Sequence, residues 1–198
     1  MIELIKLFLV VVIIFNLINY IFLKFDFLID GVGSLKHKNF INKSKVPITG
    51  GILFILTIIF LLQEFNIINK FIFFLIFLLG LMSDINKLTS PKVRLILQLL
   101  IVGAYIYLNN TYVNEIRIDY FDNNFLNNLI FKLIFTSFCI LILINGSNFK
   151  DGVNTLCGGY FFLIFSNIIF LYSNKEINIE FHDALIITTI LLIFLISN

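Results

Sequence analysis

Apolar residues do not alternate along this chain; they come in long runs separated by short polar stretches. The runs are Leu7–Leu23, Pro47–Leu62, Ile67–Met82, Leu95–Leu108, Leu129–Ile144, Leu156–Tyr172 and Ala184–Ser197. Lipid accepts only segments whose backbone hydrogen bonds close internally, and the period-2 alternation suited to a barrel is absent. The pattern predicts an all-α, polytopic transmembrane helix bundle of about seven spans, several of them short. No small-residue cleavage site follows the first run, which is also longer than a signal-peptide core, so it reads as an uncleaved helix.

Composition agrees with that pattern. Of the 198 residues, 60% are hydrophobic and 13% charged, and the mean hydropathy is +1.02. A soluble domain could not bury so much apolar surface. The whole chain, 1–198, reads as a single integral-membrane domain. A net charge of +2, without a basic run interleaved with aromatics, gives no reason to expect nucleic acid. Cys139 and Cys157 form neither a disulfide framework nor a metal quartet and read as small apolar fillers.

Charge orients the spans. Counting connections in order, nine of the 14 Lys and Arg fall in the first, third and fifth: Lys24, Lys36, Lys38, Lys43 and Lys45, then Lys87, Lys92 and Arg94, then Lys150. The alternate connections hold only Lys70, Arg117 and Lys175. The positive-inside rule then predicts an N-terminus outside and cytoplasmic odd connections. His182 falls with Asp183 on the predicted outer side and reads as a solvated loop histidine.

Three polar clusters stand out on the predicted cytoplasmic side. The densest is NGSNFKDGVNTLCGG, Asn145 to Gly159, directly after an apolar run. Asn145, Asn148, Asp151 and Asn154 recur every third residue, which on a helix gathers three amides and one carboxylate on one broad face. A hard cation such as magnesium takes oxygen ligands with one or two protein carboxylates, a role that suits Asp151, and Lys150 can meet a phosphate as a point charge. A packing strip of glycines and amides is the bland alternative.

The second cluster is Asp30 to Gly51, in which Lys36 and His37 precede Pro47 and the pair Gly50-Gly51. Paired glycines permit close approach of another helix or a ligand. The cations by themselves read equally as a positive-inside signal. The third is Gly80 to Gln98, where Asp84 follows a span, Pro91 is set to open a helix at its first position, and Ser83 and Ser90 read as ordinary caps.

Taken together and in order, these stretches resemble the polyprenyl-phosphate N-acetylhexosamine-1-phosphate transferases of glycosyltransferase family 4, which include the phospho-MurNAc-pentapeptide and GlcNAc-1-phosphate transferases. NGSNFKDG is similar to that family's Asn-x-x-Asn-x-x-Asp-Gly signature. KHKNFINKSKVPITGG is similar to its Lys-His and Pro-x-x-Gly-Gly element, and SDINKLTSPKVRLILQ to its Asp-Asp-x-x-x-Leu-Ser-Pro-x-x-Arg-Leu-x-x-Gln element.

The resemblance implies transfer of a sugar 1-phosphate from a UDP-N-acetylhexosamine to a polyprenyl (undecaprenyl) phosphate, with release of UMP. Such a step initiates cell-wall or surface polysaccharide synthesis at the bacterial plasma membrane, with the active side cytoplasmic. The implied roles are Asp84 and Asp151 as catalytic acids, Asp151 as the Mg2+ ligand, and Lys36, His37, Asn145, Asn148 and Lys150 as substrate-binding residues. Ser83 stands where the family has the first acid of its pair, and a hydroxyl cannot serve as a carboxylate base. Longer family members continue into further cytoplasmic loops, so this chain is expected to be a C-terminally truncated form with little turnover of its own. An inactive remnant and a small membrane transporter are the competing readings, and a homodimer is an open arrangement.

Overall fold

The computed structural model describes residues 2–25, 49–62, 65–85, 87–124, 127–150, 156–173 and 181–197. They form eight helices: α1 (Ile2–Lys24), α2 (Gly50–Phe60), α3 (Ile67–Asp84), α4 (Pro91–Asn109), α5 (Asp119–Asn124), α6 (Leu129–Lys150), α7 (Leu156–Ser173) and α8 (Phe181–Ser197). The all-α class is as the apolar runs predict, but the number of spans is not. Among the described residues three helices are long and apolar enough to cross a membrane: α3, α4 and the Leu129–Ser147 part of α6.

The expectation of about seven spans is therefore corrected to three. An apolar run measures how much chain avoids water, not how much of it forms one helix of bilayer length. The run Pro47–Leu62 yields only the 11 residues of α2, about 16 Å of helix against a hydrocarbon core of about 30 Å. In α1, α7 and α8 the apolar stretches among residues with described side chains are Phe8–Lys24, Leu156–Tyr172 and Asp183–Ile196, each below the length of α3. The outward N-terminus was read from the alternation of seven crossings, and that premise goes with them.

The chain divides into two compact units, Phe65–Cys157 and the combination of Met1–Glu64 with Gly158–Asn198. In the first, α4 packs against both α3 and α6. Local chemistry sets the ends of these helices. Asn66 caps α3 by accepting from the Asn69 N–H at 2.8 Å, and Asn128 accepts from the N–H groups of Ile130 and Phe131 at the start of α6. Pro91 occupies the first turn of α4, which holds Ser90 before it in an extended conformation. Asn110 ends α4 in the left-handed region at φ 53°, a conformation asparagine tolerates better than most residues.

The register of this unit follows from its cross-helix hydrogen bonds. Asn69 and Asn109 exchange amide hydrogen bonds of 2.9 and 2.8 Å, joining the start of α3 to the end of α4. The Arg94 guanidinium donates to Ser83 Oγ at 2.9 Å, joining the end of α3 to the start of α4. The two helices are therefore antiparallel. Gln98 near the start of α4 meets Asn145 near the end of α6, and Gly103 lies against Ser137, so α4 and α6 are antiparallel as well. Small residues at the Gly103–Ser137 contact let the backbones approach, the packing expected where lipid supplies little hydrophobic drive. At the far end, Phe121 of α5 packs its ring against Phe131 and Phe135 of α6, each with ring centres 5.5 Å apart.

In the other unit, α1 packs against α8, and buried aliphatic residues line α2 (Leu53, Ile55, Ile58) and α8 (Ile186, Ile190, Ile193). The Thr49 hydroxyl donates to the Asn19 side-chain oxygen, tying the entry of α2 to α1. The Phe194 ring lies between two glycines. A Cβ at Gly50 would stand 2.6 Å from one edge, and a Cβ at Gly158 would stand 3.3 Å from the other. The ring cannot retreat from one without meeting the other. Gly50→Ala is expected to destabilise the protein by about 1–3 kcal/mol, the usual cost of overpacking, read as a lower melting temperature in detergent; an unchanged melting temperature would show that the ring has room to move.

Asp183 lies in the first turn of α8 and is buried, with 7% of its surface exposed; the apolar helix carries it inward with Ala184. The His182 side chain lies outside the described residues. Cys139 and Cys157 are half-buried.

Candidate functional site

Two antiparallel pairings that share α4 bring the end of α3, the start of α4 and the end of α6 to one end of the three-helix unit. Two of the three polar clusters in the sequence meet there. Asp84 is the last residue of α3 and is exposed. Arg94 and Gln98 are one turn apart on α4, in the same four-residue row as the buried Val102 and Ile106. The row that forms the helix contact at its apolar end thus carries polar chemistry at its other end.

Ser83 is inside α3 and does not cap a helix. Its hydroxyl accepts from Arg94 instead, and Ser90, though in the capping position of α4, makes no side-chain capping bond. The guanidinium therefore meets a neutral oxygen where a carboxylate would have closed an ion pair. A carboxylate would compensate its charge and take two of its donors; a hydroxyl leaves the charge and most donors unspent.

The apolar run before the signature ends at Ile144, but α6 continues to Lys150, so Asn145 and Asn148 lie three residues apart on one helix. Asn145 is half-buried. Its Nδ2 donates to the Leu141 carbonyl at 2.9 Å and to Gln98 Oε1 at 3.2 Å. Gln98 is buried, with 5% of its surface exposed.

The side chains of Asn148 and Lys150 lie outside the described residues, as do Lys36, His37 and Asp151 altogether. Among the described residues no group of three or more His, Cys, Asp or Glu is gathered for a metal. The donors present at this end, the Asp84 carboxylate and the Asn145 amide oxygen, are hard oxygens of the kind magnesium takes. The C-terminal poles of α3 and α6 also favour a cation. Arg94 and Gln98 were not singled out as site residues from the sequence. The available signal was that both fall on named positions of the resembled Arg-Leu-x-x-Gln element, four residues apart in the helix that begins at Pro91.

Helices of membrane-spanning length, carrying a carboxylate, a guanidinium and amides together at one end, define a multi-pass membrane protein with a polar site at the edge of the apolar layer. The profile of Glycosyl transferase family 4 matches residues 70–198, well over half of the chain, and the chain belongs to that family. Membership supports a transferase role and is consistent with sugar-1-phosphate transfer chemistry in general. The matched region includes α4, α6 and the Asn145–Asp151 signature but not Lys36 and His37. Comparison with curated proteins and with solved structures returned no match.

Proposed function

We propose that this protein transfers a sugar 1-phosphate from a UDP-N-acetylhexosamine to a polyprenyl phosphate such as undecaprenyl phosphate. The observation that carries the reading is the meeting of Asp84, Arg94, Gln98 and Asn145 at one end of the α3–α4–α6 unit, inside a chain of this family. A phosphate oxygen of the lipid attacks the β-phosphorus of the nucleotide sugar. The bond from that phosphorus to the bridging oxygen breaks, and UMP leaves with the oxygen. The sugar stays on the phosphorus, now joined to the lipid phosphate.

Such chemistry asks for charge neutralisation and in-line positioning more than for covalent help. Asp84 is the acid available to take a proton from the lipid phosphate. Arg94, whose side-chain partner among the described residues is a hydroxyl, keeps its charge for phosphate oxygens. Lys150 of the signature meets the diphosphate as a point charge, Asn145 and Asn148 arrange the surroundings of Asp151, and Lys36 and His37 belong to the nucleotide side by resemblance. Asp151, with the Asn145 oxygen beside it, would hold a magnesium ion, which when bound neutralises the diphosphate charge. The Lys87, Lys92 and Arg94 cations beside the site favour the cytoplasmic face of a bacterial plasma membrane.

The purified chain, given undecaprenyl phosphate, magnesium and a panel of UDP-N-acetylhexosamines, is expected to release UMP, slowly, only when both lipid and metal are present. The product would initiate cell-wall or surface polysaccharide synthesis. UMP no higher than in the lipid-free control across the panel would sink the reading.

A further inference from the structure

Among the described side chains at this end, Gln98 is the most deeply buried. Its amide oxygen receives the Asn145 Nδ2 from a different helix, 47 residues away in sequence. The two ends of an amide have nearly the same shape, so hydrogen bonding decides which way it faces. Here the Leu141 carbonyl breaks the tie. It can only accept, so the Asn145 nitrogen must face it, at 2.9 Å. The second N–H of that nitrogen goes to Gln98. Both donors of Asn145 are then spent within the protein, and its Oδ1, which accepts none of the hydrogen bonds among the described residues, is the capacity left over.

We infer that Gln98 is a positioning residue: its hydrogen bond across the α4–α6 contact, together with that of the Leu141 carbonyl, holds Asn145 with the amide oxygen, not the nitrogen, available to a hard cation or its water at the end of α6. The inference rests on the reaction proposed above. A side chain acting behind a ligand in this way commonly governs metal affinity by about 10–100-fold. Gln98→Met keeps the length and volume and loses the acceptor. Gln98→Glu keeps an acceptor oxygen at the same reach. Val102→Ala loosens the same buried row without touching Asn145.

The test is Mn2+ binding to the full chain in detergent, followed by electron paramagnetic resonance, alongside UMP release. Gln98→Met is expected to weaken Mn2+ by about tenfold or more. Gln98→Glu is expected to recover most of that loss, and Val102→Ala to bind within about twofold of wild type despite its lower melting temperature, since distant changes without shared partners act independently. In an Asn145→Ala background, Gln98→Met is expected to add nothing, because its route of action is gone. Additive losses in the double variant, or a Val102→Ala loss as large as that of Gln98→Met, would overturn the inference while leaving the reaction standing. A wild-type chain that neither binds Mn2+ nor releases UMP would overturn the proposed reaction, and the inference with it.

Discussion

Asp151→Asn is expected to reduce magnesium-dependent UMP release to the level of the lipid-free control, while Asp119→Asn leaves it within about twofold of wild type, as a surface change away from the site should. Asp151 is the single acid between Asn145 and Gly159. An amide there keeps the volume and one oxygen but removes the charge from which divalent binding draws much of its strength. Asp119 supplies the contrast, being exposed in the first turn of α5. It lies at the opposite end of the three-helix unit, where α5 packs its Phe121 ring against the start of α6. Raising magnesium separates a ligand from a bystander: partial recovery of Asp151→Asn at high magnesium marks weakened binding, and wild-type rates at low magnesium would remove Asp151 from the site.

Asp84→Asn carries the next largest expected effect, a fall of about 10²–10⁴-fold in turnover, the range that a positioned acid or base contributes. The position before it is a serine engaged with Arg94, so no second carboxylate stands beside Asp84 to take over its role. Asp84 is exposed at the end of α3, and its loss should therefore leave the melting temperature nearly unchanged. That separation of activity from stability is the measurement to make. A drop in both would mean that the acid holds the α3–α4 turn, whereas full activity would exclude it from the chemistry. Ser83→Asp is an informative companion, because a carboxylate there would pair with Arg94 rather than restore a free acid.

The polar end of the unit was only partly legible from the residues. Asp84 and Asn145 stand out because an acid and an amide interrupt long apolar runs, and the energetic cost of polar groups in such places makes them conspicuous. Gln98 and Arg94 are interruptions of the same kind, yet nothing local distinguishes a buried amide that orients a neighbour from one that faces lipid headgroups. Asp183 shows the same limit in reverse. From the sequence it reads only as an outer-side residue beside His182, while α8 buries it.

What the sequence determined by itself is what depends on neighbours within a turn or two. Apolar runs made the chain helical, Pro91 opened α4, and Asn66 and Asn128 began α3 and α6, because cap and propensity energies act over three or four residues. The tertiary structure decided how much of each run became one helix of bilayer length, which is why about seven expected spans became three among the described residues. It also decided that Phe194 sits between Gly50 and Gly158, that Ser83 receives Arg94, and that Gln98 receives Asn145. Those contacts depend on the crossing register of two helices. A register shift of one residue turns a side chain by about 100° around the helix axis, and no local pattern encodes it.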